Sequence, residues 1–521
     1  MTHFTTLHEM VALQASEATA MLSPGGVPLT YGALNQLIAK TTAALNAMGI
    51  GRGDRVGIVL PNCPEMATAF VAVASACTAA PLNMAYRADE FEFYLTDLKA
   101  KALIVAVGSA TPALAVAAKL GVAVIELKAL PEQGAGDFEL ISTQKAAASS
   151  TQSSTQSAAH SLAQLSGLAQ ADDVALILHT SGTTSRPKIV PLSHRNVCAS
   201  ARNISRTLQL TSADRQLHVM PLFHIHGLIA GVLAPMAVGS MIFCTPGFNA
   251  LKFFGWMKEC KPTWYTAVPT MHQTILARAA GNMDVIEANP LRFIRSSSSS
   301  MPPQVIAELE RVFKTPLIES YGMTEAAHQM ASSPLPPGKR IPGSVGIAAG
   351  PEVAIMDIAG TLLAAGEIGE IVIRGENVTL GYENNDKANA EGFTHGWFRT
   401  GDQGTLSADG YLTLTGRLKE IINRGGEKIS PREVDEVLMD HPAVAQVVTF
   451  GMPHDKLGEE VAAAVVLHEG KVATDQEIRA FAATKLADFK VPRKILIMDE
   501  IPKGATGKLQ RIGLAQKLGL V

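Results

Sequence analysis

The chain has 521 residues, of which 47% are hydrophobic and 17% are charged, and its formal net charge at pH 7 is −3. This composition excludes a disordered chain, and the length predicts roughly two to four domains, or one large domain with a smaller one attached. The nearly balanced charge gives no reason to expect a nucleic acid or a membrane surface as a partner.

The cysteines and the first residues indicate the compartment. Five cysteines are scattered along the chain without a CxxC pair. This pattern is typical of reduced thiols in a cytoplasmic protein rather than of a disulfide framework or a zinc site. The N-terminal segment shows no basic stretch followed by an apolar core, so no secretory signal is expected. The apolar run 227–243 is interrupted by glycine and proline, which predicts buried core rather than a membrane span.

Strand-like and helix-like segments alternate over the first 320 residues, which predicts a layered α/β architecture. A helix is expected over residues 64–80. A surface linker is expected over residues 145–166, which are rich in Ala, Ser, Thr and Gln. The expected strands span residues 55–60, 102–107, 122–127, 174–178, 217–222, 241–245, 263–268, 291–296 and 316–320.

After about residue 350, short strands alternate with glycine-rich turns, which predicts a small β-rich subdomain. The expected strands span residues 353–357, 370–374 and 411–415. Beyond residue 416 helices return, and they are opened by capping boxes at 430–433 and 474–477. The strands expected in this last part span residues 463–467 and 494–498.

The predicted fold class is therefore α/β. Its large N-terminal domain, residues 1–417, combines several subdomains, namely the layered α/β part and the small β-rich part. Its small C-terminal domain, residues 418–521, is α+β, and the boundary is expected near 417–420.

Residues 180–188 read TSGTTSRPK and follow the expected strand 174–178. A loop of small hydroxyl and glycine residues can surround phosphate oxygens with N–H and O–H donors, and a lysine at its end can meet their charge. The segment is not a Walker P-loop, because the G-x-x-x-x-G-K-[ST] spacing is missing. The segment predicts a phosphate-binding loop of another kind.

Three further segments follow in order: YGMTE at 321–325, TGD at 400–402 with GRLK at 416–419, and PKGATGK at 502–508. Together with the loop at 180–188, they resemble the adenylate-forming family of acyl-CoA synthetases, luciferases and peptide-synthetase adenylation domains. The resemblance covers nearly the whole chain.

The resemblance implies a reaction in two steps. ATP first converts a carboxylate to an acyl-adenylate and pyrophosphate, and a thiol, usually that of coenzyme A, then displaces AMP. The first step gathers carboxylate and triphosphate charge in one place, so N–H donors, lysines and Mg²⁺ must offset it. ATP, Mg²⁺ and coenzyme A are therefore the expected cofactors and co-substrates.

The resemblance also implies the residues that hold the triphosphate. The β- and γ-phosphates would be bound by Thr180, Ser181, Gly182, Thr183, Thr184 and Lys188. Glu325 would be the magnesium ligand, a hard oxygen that suits this ion, with Thr180 as a further candidate ligand. Thr324 would contact the α-phosphate, and Tyr321 and Gly322 belong to the same nucleotide-binding segment.

The ribose and coenzyme A residues follow from the same resemblance. Asp402 is similar to the residue that accepts hydrogen bonds from both ribose hydroxyls, and Arg417 is similar to its neighbour on the nucleotide. Gly425, Gly426 and Lys428 resemble the loop beside the pantetheine tunnel, where glycine lets the chain pass close to the ligand.

Two lysines are expected to govern the sequence of steps. Lys508 matches the family's catalytic lysine, which bridges the carboxylate and the α-phosphate. Lys419 falls at the family's hinge, about which a mobile C-terminal domain swings after adenylation. The loop at 180–188 departs from the family at Ser185 and Ile189, where glycine is usual; we expect little loss, because Lys188 is retained.

The residues expected to line the acid pocket are unusually polar. They are His224, His226, the serine run 296–300 after Arg295, and His328. Several donors and positive charge suit a short acid with a second carboxylate. The segments FHIHGL, TWYTAVPTMHQ, RFIRSSSSS and TEAAHQMASSPLP also resemble the oxalyl-CoA synthetase branch of the family.

The implied acid is therefore oxalate, which offers no methylene to an apolar pocket and must be recognised by hydrogen bonds and charge. We expect Ser298 and His328 to bind its distal carboxylate and His224 to shape the pocket. His272 is expected to be an ordinary core histidine.

Other functions stay open at this point. The acid could be another small, medium-chain or aryl acid, or the chain could be a stand-alone adenylation enzyme that loads a carrier protein. A non-catalytic ATP-binding scaffold is disfavoured, because Lys188, Glu325, Asp402 and Lys508 are all retained. The sequence leaves open whether the protein is a monomer or a homodimer.

Overall fold

The computed structural model describes residues 3–143, 165–180, 187–502 and 509–521. Most of the linker expected at 145–166 lies outside these residues. The described chain forms two compact units. The first contains residues up to 352 together with 373–393, and the second contains residues 353–372 and the chain after 393.

The first unit is an alternation of strands and helices. Its strands are β1 (Thr19–Leu22), β2 (Leu29–Thr30), β3 (Arg55–Val59), β4 (Thr78–Pro81), β5 (Ala102–Ala106), β6 (Ala123–Ala129), β7 (Phe138–Ser142), β8 (Val174–Thr180), β9 (Lys188–Ser193), β10 (Arg215–His218), β11 (Met241–Cys244), β12 (Trp264–Ala267), β13 (Phe293–Ser297), β14 (Leu317–Met323), β15 (His328–Ser332) and β16 (Ile347–Ala348).

The helices of the first unit are α1 (Leu7–Ala12), α2 (Tyr31–Ala47), α3 (Pro64–Ala74), α4 (Ala88–Asp97), α5 (Ala113–Leu120), α6 (His194–Thr207), α7 (Ala234–Met236), α8 (Phe253–Cys260), α9 (Pro269–Ala279), α10 (Met283–Ala288), α11 (Pro303–Phe313) and α12 (Asp386–Gly392). A π-helix spans His226–Leu233, and 3₁₀ turns span Ala280–Asn282 and Thr324–Ala326.

Seven strands form one sheet in the order β7-β6-β5-β3-β4-β8-β9. Its central strands are parallel and its outer pairs, β6 with β7 and β8 with β9, are antiparallel. The central strands are almost continuously apolar and buried, as parallel strands covered on both faces must be.

The helix predicted at 64–80 is wrong over its last six residues, 75–80. The helix α3 ends at Ala74, and residues 78–81 form β4, which pairs with β3 and β8 in the centre of the sheet. Residues 76–81 read ACTAAP and are all buried. A short buried apolar run carries no periodicity that separates helix from strand, so the neighbouring strands decide its conformation.

Nine strands form the second sheet in the order β16-β15-β14-β13-β12-β10-β11-β1-β2. The run β11, β10, β12, β13, β14 is parallel, and β15 returns antiparallel beside β14. The apolar run 227–243 is buried as the π-helix, α7 and the start of β11. None of the helices in the described chain combines the length and apolar character that crossing a bilayer needs.

Two further sheets lie mainly in the second unit. Their strands are β17 (Glu352–Met356), β18 (Gly369–Arg374), β19 (Phe393–Thr394), β20 (Trp397–Leu406), β21 (Leu412–Arg417), β22 (Ile422–Arg424), β23 (Glu427–Ile429), β24 (Val444–His454), β25 (Gly458–Leu467) and β26 (Lys494–Ile497). One sheet has the order β17-β18-β20-β19 with β21 on β20, and the other has the order β23-β22-β25-β24 with β26 on β25. The helices are α13 (Pro431–Met439), α14 (Asp475–Ala483) and α15 (Leu514–Lys517), with a 3₁₀ turn at Asp488–Lys490.

Only one of the two expected capping boxes is complete. Thr474 and Glu477 cap each other's backbone N–H groups at the start of α14. At the start of α13, Ser430 accepts from the N–H of Glu433, but the Glu433 carboxylate instead pairs with Lys490 at 2.6 Å. An ion pair with a residue distant in the chain thus replaces the local capping contact of Glu433.

The domain boundary predicted at 417/418 rests on a movement of the C-terminal domain and stays a prediction.

Three histidines in the first unit are buried as neutral side chains. Burial lowers the pKa of His194, His218 and His272 to about 4. His194 accepts from the N–H of Leu7 and donates from Nε2 to the carbonyl of Ala74, so its proton is on Nε2. His272 bonds the hydroxyl of Tyr265 at 3.1 Å, in line with its expected role in the core.

Because of these buried histidines, we expect acid to destabilise the protein at pH values well above those at which its carboxyl groups become protonated. The unfolded chain binds their protons below about pH 6.5, whereas the folded chain does not until about pH 4, so each histidine removes roughly 2 kcal/mol of stability by pH 5. Urea unfolding between pH 7 and pH 5 measures the slope. His218→Asn should flatten it, and His395→Asn, at an exposed turn, should not. An unfolding free energy that stays constant over this range would contradict the prediction.

Candidate active site

The segment expected to hold the nucleotide lies where β14 ends. Tyr321 and Gly322 directly precede Met323, the last residue of β14, and Thr324 and Glu325 begin the 3₁₀ turn that leads into β15. A Cβ atom at Gly322 would lie 1.5 Å from the carbonyl oxygen of His328, so only glycine fits against β15. Close strand packing thus accounts for this glycine.

The turn after Glu325 is conformationally unusual. Ala327 and His328 both have positive φ, 46° and 95°. Residues other than glycine rarely adopt this region, and such residues concentrate at functional sites. The turn directs Glu325 and His328 into two polar clusters of the first unit.

Glu325 and Lys188 meet at one tyrosine. The hydroxyl of Tyr382 donates to Glu325 Oε1 at 2.8 Å, and Lys188 Nζ lies 4.2 Å from the centroid of the Tyr382 ring. Glu325 and Tyr382 are both buried. The structure therefore brings together the expected magnesium ligand and the expected phosphate lysine from two distant segments, with Tyr382 as a third residue between them.

Tyr382 was not among the residues expected from the sequence. Its only local signal is a Gly-Tyr pair at 381–382, in a loop where Gly381 has φ 146° and Asn389 accepts from the Tyr382 N–H. Glu325 also fits Mg²⁺ as a ligand. Mg²⁺ commonly takes one or two protein carboxylates and completes its shell with phosphate oxygens and water.

The ends of the phosphate loop lie on neighbouring strands. Thr180 ends β8, Lys188 begins β9, and the two residues face each other in the antiparallel pair. Ser181, Gly182, Thr183, Thr184 and Ser185 lie outside the described residues, so their roles stay predictions. Ile189 is buried in the extended strand β9 opposite His179, so a glycine conformation is not required there.

The expected ribose residues meet in the second unit. Asp402 on β20 and Arg417 at the end of β21 are cross-strand partners, and Arg417 Nε donates to Asp402 Oδ1 at 3.0 Å. Asp402 is buried, and the preceding Gly401 has φ 74°. Lys419 follows in the turn after β21. An ion pair positions the carboxylate, which agrees with the predicted role and does not test it.

Gly425 and Gly426 form the two-residue turn between β22 and β23, with φ 61° and 99°. Positive φ at both positions is the geometry of a tight hairpin turn, which accounts for two glycines without a ligand. Lys428 lies on β23 opposite Asn423. The predicted contact of these residues with coenzyme A stays a prediction. Lys508 lies outside the described residues.

The polar residues expected around the acid converge in the first unit. His226 Nδ1 lies 3.0 Å from the Ser298 hydroxyl, and the His226 and His328 rings stack with centroids 4.8 Å apart. Ser298 follows β13 and has φ 75°. The structure thus brings Ser298 and His328 together through His226, and the expected roles of Ser298, His328 and His224 towards the acid stay predictions. The half-buried His224 ring lies beside Phe223.

Arg295 lies at the centre of this cluster and is fully buried. Its guanidinium donates to the hydroxyls of Ser320 and Thr266. Its Nη1 and Nη2 atoms lie 3.3 and 3.1 Å from Nε2 of His226 and His328, and Nη2 donates to the side-chain oxygen of Gln329 at 3.2 Å. We name Arg295, His226, Ser298 and His328 the arginine cluster.

The charge of Arg295 is not neutralised by a carboxylate of the described chain. Burial lowers its pKa to about 9, which leaves the guanidinium charged at neutral pH. A buried cation among neutral acceptors is energetically unfavourable, and a bound anion would offset that cost. The sequence indicated positive charge here, but did not identify Arg295 and His226 as its organising residues.

The first unit also contains an apolar cavity of about 250 Å³. Residues that line it include Leu60, Met66, Leu82, Val219, Phe223 and Met271. No member of the arginine cluster lines it. A hydrocarbon group would suit this cavity, whereas a second carboxylate suits the arginine cluster.

Comparison with known proteins identifies similar chains over nearly the full length. The family of AMP-binding enzymes matches residues 8–383, and the AMP-binding enzyme C-terminal domain matches residues 433–508. An oxalate–CoA ligase of Arabidopsis thaliana is 45% identical over 515 residues, which cover 98% of this chain and 97% of the relative.

An oxalate–CoA ligase of Saccharomyces cerevisiae is 43% identical over 476 residues, with coverage of 89% and 87%. Among solved structures, ATP-bound MatB from Rhodopseudomonas palustris superposes with a TM-score of 0.87 at 28% identity and covers 99% of both chains. The α/β fold with a large N-terminal and a small C-terminal domain is therefore confirmed.

The contact between Tyr382 and Glu325 predicts a specific defect for Tyr382→Phe. The phenyl ring would keep its contact with Lys188, but the carboxylate would lose the donor that orients it. We expect the Mg²⁺ concentration for half-maximal adenylate formation to rise about tenfold. Pyrophosphate exchange at varied Mg²⁺ measures this.

The matched control is Tyr31→Phe, which removes an equally short buried hydrogen bond, 2.8 Å to the carbonyl of Ser240, away from Glu325. This variant should lose stability but keep the wild-type Mg²⁺ requirement. If Tyr382→Phe also kept it, Tyr382 would not orient the magnesium ligand.

Proposed function

The chain belongs to the family of AMP-binding enzymes, and from this premise we propose that it activates oxalate with ATP and transfers the oxalyl group to coenzyme A. Oxalate, ATP and coenzyme A would give oxalyl-CoA, AMP and diphosphate. The observation that carries the choice of acid is the buried, charged Arg295 among neutral acceptors.

The broader prediction of an AMP-forming acid–CoA ligase, which uses ATP, Mg²⁺ and coenzyme A, is confirmed by the near full-length similarity to two ligases of this kind. Oxalate is the acid in the names of both relatives. For this chain it is our proposal, which the chemistry of the arginine cluster supports.

In the first step a carboxylate oxygen of the acid attacks the α-phosphorus of ATP, and diphosphate leaves. Thr180, Lys188 and the loop between them would bind the β- and γ-phosphates, while Thr324 would contact the α-phosphate. Mg²⁺ bound by Glu325 would withdraw charge from the phosphate oxygens. Lys508 would bridge the two reacting groups and stabilise the charge that develops between them.

In the second step the thiolate of coenzyme A attacks the acyl carbon, and AMP leaves with the bonding electrons of the anhydride C–O bond. Asp402 and Arg417 would hold the ribose through both steps. We propose that residues 418–521 rotate about Lys419 between the steps, which would remove Lys508 and bring Gly425, Gly426 and Lys428 towards the thiol.

The acid itself has two carboxylates and no methylene. Ser298 and His328 would bind the distal carboxylate, and His224 would shape the pocket. Hydrogen-bond donors discriminate strongly between an acid that fills them and one that leaves them unpaired, because a buried unpaired donor is costly. We place the reaction in the cytoplasm, which the five free thiols support.

The apolar cavity favours a second candidate, an acid with a hydrocarbon chain or ring. An acid panel separates the two. We expect the rate of AMP formation with ATP and coenzyme A to be at least about tenfold higher for oxalate than for malonate, octanoate or benzoate. A reversed order would contradict the choice of acid. Accumulation of acyl-adenylate without a coenzyme A thioester would instead indicate loading of a carrier protein.

The role of Lys508 predicts that Lys508→Ala lowers the rate of adenylation by about a hundredfold or more, because a partner of the transition-state charge is lost. Thioester formation from supplied oxalyl-adenylate should change much less. Lys517→Ala, at an exposed position of α15, is the matched control and should adenylate normally. Undiminished adenylation by Lys508→Ala would exclude the proposed mechanism.

A further inference from the structure

The Arg295 guanidinium only donates hydrogen bonds, and this limits which atoms of the arginine cluster can donate and which can accept. A guanidinium has five N–H donors and no acceptor. Nη1 lies 3.3 Å from His226 Nε2, and Nη2 lies 3.1 Å from His328 Nε2. A proton on either Nε2 would point an N–H group at another N–H group. Acceptance at both Nε2 atoms avoids this clash, and the two N–H groups of Nη2 are then shared among His328, Ser320 and Gln329.

For His226 the second neighbour of Nε2 agrees with this direction. The hydroxyl of Thr266 lies 2.7 Å from His226 Nε2 and accepts from Arg295 at 3.3 Å. Its own proton is then available for the imidazole. With Nε2 occupied as an acceptor, the proton of neutral His226 is on Nδ1, because the bond made by one ring nitrogen sets the state of the other.

The direction continues to the serine. His226 Nδ1 lies 3.0 Å from the Ser298 hydroxyl oxygen, so Nδ1–H donates and the oxygen accepts. Ser298 is then left with its O–H to donate elsewhere. By the same reasoning, the proton of His328 is on Nδ1. The buried Arg295 guanidinium thus fixes the Ser298 hydroxyl and His328 Nδ1–H as hydrogen-bond donors.

The stacked rings and the shared guanidinium favour the neutral form of both histidines. Their centroids lie 4.8 Å apart with an interplanar angle of 18°, and both rings contact the same guanidinium. A protonated imidazole would add a second buried cation within a few ångströms of the first, which is strongly unfavourable without an anion.

We propose that Arg295 is a positioning residue that fixes the Nδ1–H tautomer of His226 and His328, so that Ser298 and His328 present hydrogen-bond donors to the distal carboxylate of the acid. An ionised carboxylate only accepts hydrogen bonds, so the opposite tautomers would present it with lone pairs. The part of this inference that concerns the acid rests on the proposed function; the tautomers do not.

The first test measures the tautomers directly. Protein labelled with ¹⁵N in its histidine rings, without acid or nucleotide, is examined by long-range ¹H–¹⁵N correlation spectra, with assignment by single His→Asn variants. We expect the Nδ1–H form for His226 and His328. His194 is an internal reference of the opposite kind, because Leu7 and Ala74 hold it in the Nε2–H form. An Nε2–H form at His226 or His328 would overturn the proposal.

The second test removes the guanidinium. In Arg295→Met we expect both histidines to lose their exclusive Nδ1–H form, while His194 keeps its spectrum and thereby reports an intact fold. The kcat/KM for oxalate should fall at least about thirtyfold, with the KM for ATP changed less than about twofold. Unchanged tautomers in this variant would contradict the role of Arg295.

Arg295→Lys tests the same point with the charge retained. An ammonium group lacks the planar fork and cannot donate to both rings in the same geometry, so at least one ring should lose the Nδ1–H form. If wild-type protein forms no oxalyl-CoA, the proposed function fails, but the tautomer measurement still decides the role of Arg295.

Discussion

The proposed acid subsite depends on one buried charge. Arg295 has no exposed surface and no carboxylate partner in the described chain, and it is surrounded by two imidazoles, two hydroxyls and an amide oxygen. A protein that retains such a group tolerates a desolvation cost that a hydrophobic residue would avoid. The buried charge creates a local positive potential and favours one donor–acceptor direction for the hydrogen bonds around Arg295. The proposed specificity for a small, doubly charged acid would then need no large contact surface.

The sheet explains how distant residues reach this charge. Arg295 lies on β13 and pairs in register with Ile318 of β14, and β15 runs back beside β14 to bring His328 next to it. His226 comes from the start of the π-helix. The turn between β14 and β15 holds Glu325 as well, so a single connection supplies His328 to the proposed acid subsite and Glu325 as the proposed magnesium ligand. The scaffold of parallel strands would therefore hold the two proposed subsites at a fixed distance from each other.

Most of the architecture follows from local pattern, and its errors have physical causes. Five strands of the nine-stranded sheet, β10 to β14, were expected within a few residues of their true bounds, because their apolar content reports burial directly, whereas β1, β2, β15 and β16 were not expected. The segment 76–81 was misassigned because a short buried run has no periodic face, and β3 and β8 supply the partners that make it a strand. Glu433 was expected to cap its own helix and instead pairs with Lys490, a partner that no local pattern could reveal.

The sequence by itself indicated the family, because its motifs have the residue types and spacing that resemble it, and that resemblance implied the two-step chemistry and the residues of the expected acid pocket. The tertiary structure decided which of the polar residues act together. Arg295, His226 and Tyr382 owe their importance to contacts with residues far away in the chain. Hydrogen-bond direction and charge compensation are properties of neighbours in space, and spacing along the chain does not contain them.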